Sequence, residues 1–408
     1  MRDPRGSGLR RRAPWAGALM WILLLAAACA PAAPPASGSA GAPAGPASRG
    51  SAAAPDSASA PATARPPADS AATQPPAVPP GGAPVLPTAP VSLRMGGQAT
   101  NSYAGVFIAL ERGYFREVGL DVDVELFGTG VEMRPGIVAG QLPVGGGGLN
   151  AGSLNLVARE ADVKVVADME SVPAGREGFA ALTVRKDLWD RGVIRSPYDI
   201  VGREVYGPGG TGSAQYLQLL HWADQHGVDK SRISMTNMGT TDVRTGLANG
   251  AIELGFVSEP NLSAGLEAGD FVVLASSGDL YPGQQMLVML FNTRAIEEAG
   301  ELVGERFMVA YLRGVRDYLN AFYYDQGTDA VIDALVKHTL VKDRALFRKM
   351  RPNWADPNGR VNVSNLVADA QLLTAAGLMR EVPNLSNVYA AKYADYAVRY
   401  LGEYQPPR

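Results

Sequence analysis

The chemistry on offer begins at Gly207-Pro-Gly-Gly-Thr-Gly-Ser213, between the strand-like Glu204-Val205-Tyr206 and an amphipathic helix starting near Ala214. Glycines let a backbone approach a ligand closely, and the first N–H groups of a helix have no intrahelical acceptor. With the helix dipole, they make a place for an anion or another polar group. Gly210, Thr211 and Ser213 are therefore candidate ligand contacts, although Ser213 would cap the helix regardless. Gly207, Gly209 and Gly212 also satisfy GxGxxG. A dinucleotide site needs an acid at the end of the next strand, which instead reads Asn237-Met238-Gly239. No Lys-Ser/Thr follows the glycines, which excludes a P-loop.

Three more turns carry comparable groups: Gln98 to Asn101 with Tyr103, Gly128-Thr129-Gly130, and Gly147 to Asn150. Gln98, Asn101, Tyr103, Thr129, Gly148 and Asn150 are the candidates there, with Thr241 and Glu259 beyond them in the chain. Asn101 could equally cap a helix, and Tyr103 and Tyr281 could stack on a flat ligand or pack in the core. A carboxylate such as Glu259 in a crevice leans toward a cationic or amide-bearing ligand. No Arg stands inside these turns, though Arg134 and Arg244 are near in sequence.

Enzymatic constellations are missing from the sequence. His221, His226 and His338 form no HExxH, the first two being five residues apart, and there is no GxSxG. The sequence suggests neither a catalytic residue nor a metal or cofactor site. The first 28 residues hold five Arg and one Asp, so the net −3 leaves −7 for the remainder, which gives no electrostatic footprint for nucleic acid.

The elements that would position the turns alternate. Strand patterns at 91–95, 121–126, 163–167, 204–206, 233–237, 252–257, 271–275 and 286–291 are separated by helical stretches of about ten residues. That is the grammar of α/β folds with mostly parallel sheets, whose ligands bind at the carboxyl ends of the strands. Gly145 to Gly148 reads as a turn opening a helix. From Gly304 onward the pattern is helical, at 306–324, 329–338, 343–350, 363–376 and 386–404.

The N-terminus differs in kind. Arg10-Arg11-Arg12, an apolar run to Leu25 and Ala26-Ala27-Ala28 before Cys29 read as an export signal over residues 1–28. The small residues before the one cysteine resemble a bacterial lipobox, with Ala26 where Leu is usual, which implies lipidation of Cys29. Residues 29–90 are rich in Ala, Pro, Ser and Gly with no aromatic residue, and cannot bury enough surface to offset ordering entropy. They read as a disordered tether reaching about 200 Å when extended.

Ala109-Leu-Glu-Arg-Gly-Tyr-Phe-Arg-Glu-Val-Gly-Leu-Asp-Val-Asp-Val-Glu-Leu-Phe-Gly-Thr-Gly130 resembles AxxxGYFxxxGLxVxxxxxxxG, a signature of substrate-binding proteins of nitrate, sulfonate and taurine uptake. This is the SsuA/THI5-like or NMT1-like superfamily. Val138 to Gly145 is similar to its AxGxxDxG, with Pro143 for Asp. Leu247 to Phe256 resembles LxxGxxDAx with Glu253 for Asp, and Glu259-Pro260 its EP, with Ser258 where Trp is frequent.

The resemblance implies an α/β, two-lobe, periplasmic-binding-protein-like fold of type II, a venus flytrap with C-terminal helices. Residues 91–182 and 288–408 would form one lobe and 183–287 the other, joined by strands near 182–184 and 287–291. It implies an extracytoplasmic, lipid-anchored monomer that delivers a small polar ligand, of sulfonate, nitrate or pyrimidine-like class, to the permease and ATPase of an ABC importer. A ligand-sensing module for a membrane signalling protein is the alternative. The cysteine-rich motif of a THI5-like pyrimidine synthase has no counterpart here.

Overall fold

The computed structural model describes residues 90–407; the signal, Cys29 and nearly all of the tether lie outside them. Ten strands form two five-stranded sheets. The first has the order β2 (Leu120–Leu126), β1 (Val91–Gly97), β3 (Val144–Gly148), β10 (Gln285–Asn292), β4 (Val163–Ser171). The second has the order β7 (Ser234–Asn237), β6 (Glu204–Gly207), β8 (Leu254–Ser258), β5 (Ala180–Arg185), β9 (Phe271–Ser276). In each sheet the antiparallel strand, β10 or β5, is the one the chain enters after crossing from the other sheet. The expected joining strand at 287–291 thus runs wholly inside the first sheet, and the second crossing is made by Ser277–Gln284.

The tetraglycine expected as a turn is strand β3. Its neighbours fill the space that side chains would take: a Cβ on Gly145 would meet Ile137 at 2.5 Å, and one on Gly146 the Tyr103 hydroxyl at 2.3 Å. Glycine is tolerated in this strand because other residues supply the packing.

The C-terminal helices belong to the first sheet's core. Helix Val303–Tyr324 buries Phe307, Tyr311 and Leu319 beside Met95, Val165 and Phe291. Helices Thr328–His338, Val363–Ala375 and Lys392–Leu401 complete that layer, the last starting later than its sequence pattern implied. The second sheet is covered on both faces. Leu182, Val184 and Phe256 pack with Leu219 and Trp222, whereas Ala181 and Val257 pack with Val243, Leu247 and Leu262. Alternation along β5 and β8 places those two sets on opposite sides. Among the described residues, no helix is long and apolar enough to cross a membrane.

Helix Ala104–Glu111 crosses helix Val303–Tyr324 so closely that a Cβ on Gly314 would fall 2.0 Å from the Gly105 carbonyl oxygen. Backbone cannot yield there as a side-chain tip can. Gly314→Ala is expected to cost about 3 kcal/mol, read as a fall in the chemical-denaturation midpoint. An unchanged midpoint would mean that the helices do not cross this closely in solution.

Candidate functional site

On the first sheet, the ends of β1, β2 and β3 bring their turns together. Gln98 Nε2 donates to the Gly128 carbonyl at 3.1 Å, and a Cβ on Gly130 would sit 4.0 Å from Gln98 Oε1 and 3.7 Å from the Gly146 oxygen. Glu132 braces the second turn, its carboxylate accepting from Thr129 Oγ1 at 2.9 Å and Gly128 N at 3.2 Å. In the third turn, Asn150 and Ser153 form a reciprocal cap on helix Ala151–Arg159: Asn150 Oδ1 accepts from Ser153 N at 3.1 Å and Ser153 Oγ from Asn150 N at 2.9 Å. Such a cap leaves the N–H groups of Ala151 and Gly152 facing outward from the helix start.

Arg134, from helix Gly130–Val138, closes this cluster. Its Nη2 donates to Asn150 Oδ1 at 3.1 Å, and a Cβ on Gly152 would fall 2.5 Å from Nη1. The half-buried guanidinium therefore lies over the first turn of a helix. Its one side-chain hydrogen bond goes to a neutral amide, and burial lowers its pKa from the ordinary arginine value. A cation against the positive end of a helix dipole is an unfavourable arrangement by itself, and an anion shared between them relieves it. Arg244 goes elsewhere, pairing with Asp270 at 3.1 Å. Spacing could not reveal Arg134, because it reaches a turn sixteen residues further on.

Two of the expected contacts lie beneath this surface. Tyr103 is fully buried against Gly146, with no partner for its hydroxyl. Asn101 caps no helix: Thr100 begins a short 3-10 turn over Asn101–Tyr103, and Asn101 Oδ1 is buried without a partner. It faces a cavity of about 10 Å³ lined also by Ser102, Tyr318 and Asn353, enough for about one water.

The glycine turn of the second sheet spends most of its polar groups on itself. Gly209, Gly210 and Gly212 take φ of 78°, 58° and 92°. Both the N–H and the hydroxyl of Thr211 donate to the Met235 carbonyl at 2.9 Å. Asn237 Oδ1 accepts from Gly209 N at 2.8 Å, and a Cβ on Gly210 would strike the Asn237 backbone. Ser213 caps helix Ala214–Gln225, accepting from Tyr216 N at 3.2 Å. Thr241 Oγ1 accepts from Asn261 Nδ2 at 3.3 Å. The Glu259 carboxylate accepts from Ser263 N at 3.1 Å, Ser263 Oγ at 2.8 Å and Arg351 N at 3.1 Å.

Gln98, Thr129, Gly148 and Asn150 thus gather at one edge with Arg134. Gly210, Thr211 and Ser213 form a second group around Asn237, and Glu259 faces a C-terminal segment. A cavity of about 560 Å³ lies between helix Ala214–Gln225, Tyr281–Gly283 and helix Val363–Ala375; of the residues offered as ligand contacts only Tyr281 lines it, stacked on His221 at 3.8 Å. Among the described residues no cluster of three His, Cys, Asp or Glu is placed to hold a metal.

A family model described as NMT1/THI5 like matches residues 100–321, more than half of the chain. Among curated proteins there is no match. Solved structures of similar fold include the alkanesulfonate-binding protein SsuA of Xanthomonas axonopodis pv. citri bound to MOPS. It has 17% identity and a TM-score of 0.56, over 75% of this chain and 100% of that one. The periplasmic aliphatic sulphonate binding protein SsuA of Escherichia coli has 19% identity and a TM-score of 0.56, covering 78% and 94%. The periplasmic nitrate-binding protein NrtA of Synechocystis PCC 6803 has 13% identity and a TM-score of 0.58, covering 78% and 90%. At these identities the likeness establishes a shared periplasmic-binding-protein fold.

Proposed function

The chain belongs to the NMT1/THI5-like family, and on that premise we propose that it is a solute-binding lipoprotein delivering a small anion to an ABC importer. Cys29 would carry the lipid and residues 29–90 the spacer. Two lobes, built on the two sheets, would close over the ligand, as hinge-bending binding proteins do. The observation that carries the ligand's sign is Arg134, a half-buried guanidinium with no acidic partner, set over the start of helix Ala151–Arg159. Gln98, Thr129, Gly148 and Asn150 would surround the bound group, with Gly210, Thr211 and Ser213 approaching from the other lobe.

The carboxylate that leaned toward a cationic ligand no longer does so, because Glu259 is occupied by Ser263 and Arg351. Two of the similar structures are sulfonate-binding proteins and a third binds nitrate, which supports the same sign. Calorimetry with methanesulfonate, a longer alkanesulfonate, nitrate and a neutral aminopyrimidine tests the proposal. Micromolar binding, about −8 kcal/mol, is expected for at least one anion. Binding of the aminopyrimidine alone would overturn the assignment of charge.

A further inference from the structure

We propose that the segment from Lys349 to Leu378 is a two-sided clasp on the second lobe, with one side a pivot and the other a releasable strap that governs opening of the crevice. The two contacts fall on opposite faces of the second sheet. Helix Ala214–Gln225 covers one face and helix Asn261–Ala268 the other, and the segment touches both.

The segment is anchored to the first lobe by buried polar groups. Asn353 N donates to Tyr318 Oη at 3.0 Å and Asn353 Nδ2 to Glu170 Oε2 at 2.9 Å. Asp356 N donates to Asp168 Oδ2 at 2.8 Å, and the Trp354 carbonyl accepts from Ser171 N at 2.9 Å. The first crossing stretch is tied in as well. The Arg176 guanidinium lies 4.5 Å from the Tyr323 ring and 4.6 Å from that of Trp354, and Glu177 pairs with Arg351 at 3.0 Å.

Toward the second lobe the two sides differ in kind. On the pivot side Leu217 is fully buried in the first lobe's core, which also holds Leu366, Ala370 and Leu373 of the segment, and Leu378 lies against Gly212. On the strap side the contacts are hydrogen bonds and an ion pair. Arg351 N meets Glu259 at 3.1 Å, the Lys349 carbonyl meets Ser263 Oγ at 3.4 Å, and Lys349 Nζ meets the exposed Glu267 at 3.3 Å. Water replaces polar partners at small net cost, whereas drawing Leu217 out of its core does not happen piecemeal. The strap therefore releases first and the pivot holds. In this arrangement Glu259 is the strap's receptor.

What the crevice then admits rests on the binding-protein reading, but the strap itself is tested without ligand. Hydrogen exchange at residue resolution on the full chain, ligand-free, compares the parent with Glu259→Ala and the milder Ser263→Ala. The Arg351 amide is expected to exchange about tenfold faster in Glu259→Ala and measurably faster in Ser263→Ala, while amides of Leu217–His221 keep their protection. An unchanged Arg351 amide in both variants, or equal loss of protection at Leu217–His221, would overturn the clasp. Failure of all anions to bind would overturn the function instead and leave this measurement untouched.

Discussion

Arg134→Gln is expected to weaken binding of the best anion from the calorimetric panel by roughly 10- to 100-fold, the worth of a charge-assisted hydrogen bond. Arg134→Lys should fall between parent and Gln, because an ammonium keeps the charge but loses the planar fork. The same variant makes an opposite forecast for the unliganded protein. The guanidinium sits against a helix N-terminus with no carboxylate nearby, so its removal relieves a repulsion. The apo melting temperature of Arg134→Gln should hold or rise slightly. A structural arginine would behave otherwise, losing stability and affinity together. Equal anion affinity in parent and Gln variant would remove Arg134 from the site.

Stability should fall between about pH 4 and pH 7, and Glu170→Gln should flatten that fall. Burial pushes Asp168, Glu170 and Asp369 each up to about 7. The unfolded chain releases these protons near pH 4, the folded chain only near pH 7. Across that interval the folded state binds more protons, so unfolding becomes easier as pH rises. The contribution is complete below about pH 4 and gone above about pH 7.

The two neighbours on β4 are not equivalent. Asp168 uses both oxygens, accepting from Gln285 Nε2 at 2.6 Å, Ser171 Oγ at 2.6 Å and Asp356 N at 2.8 Å. Glu170 receives Ser102 and Asn353 on one oxygen. Of the two, Glu170 therefore takes up the first proton, on the oxygen that accepts neither Ser102 nor Asn353. Glu170→Gln keeps the acceptor and should cost little at pH 7, whereas Asp168→Asn sets an amide N–H₂ against donors and should cost about 2–3 kcal/mol. Urea unfolding of both variants from pH 4.5 to 8 decides this. A parent protein whose stability climbs across that range would contradict the protonated Glu170.

How much of the site could be read in advance varied with how local its cause was. Ser213 is a cap, as its place before the helix allowed, and Asn150, read from the sequence only as a ligand contact, is also a capping-box residue; each bonds within three residues of itself. Thr211 looked free, but Met235, from the adjacent strand, takes its hydroxyl. Glu259 looked like a ligand group, yet the backbone of Arg351, ninety-two residues on, reaches it. Tyr103 stood in a promising turn and is buried because glycines in β3 leave room for its ring.

Most of the alternation of strands and helices, and with it the α/β class, was determined by the sequence. Periodicity and capping act over a few residues and need no partner from afar. The family signature from Ala109 to Gly130 is likewise continuous in the chain. Only the tertiary structure decided that four glycines form a strand, that Arg134 covers the start of the helix after β3, and that residues 349–378 grip the second sheet from both faces. Each of these depends on side-chain volume or charge supplied from distant sequence, where local propensity carries no information.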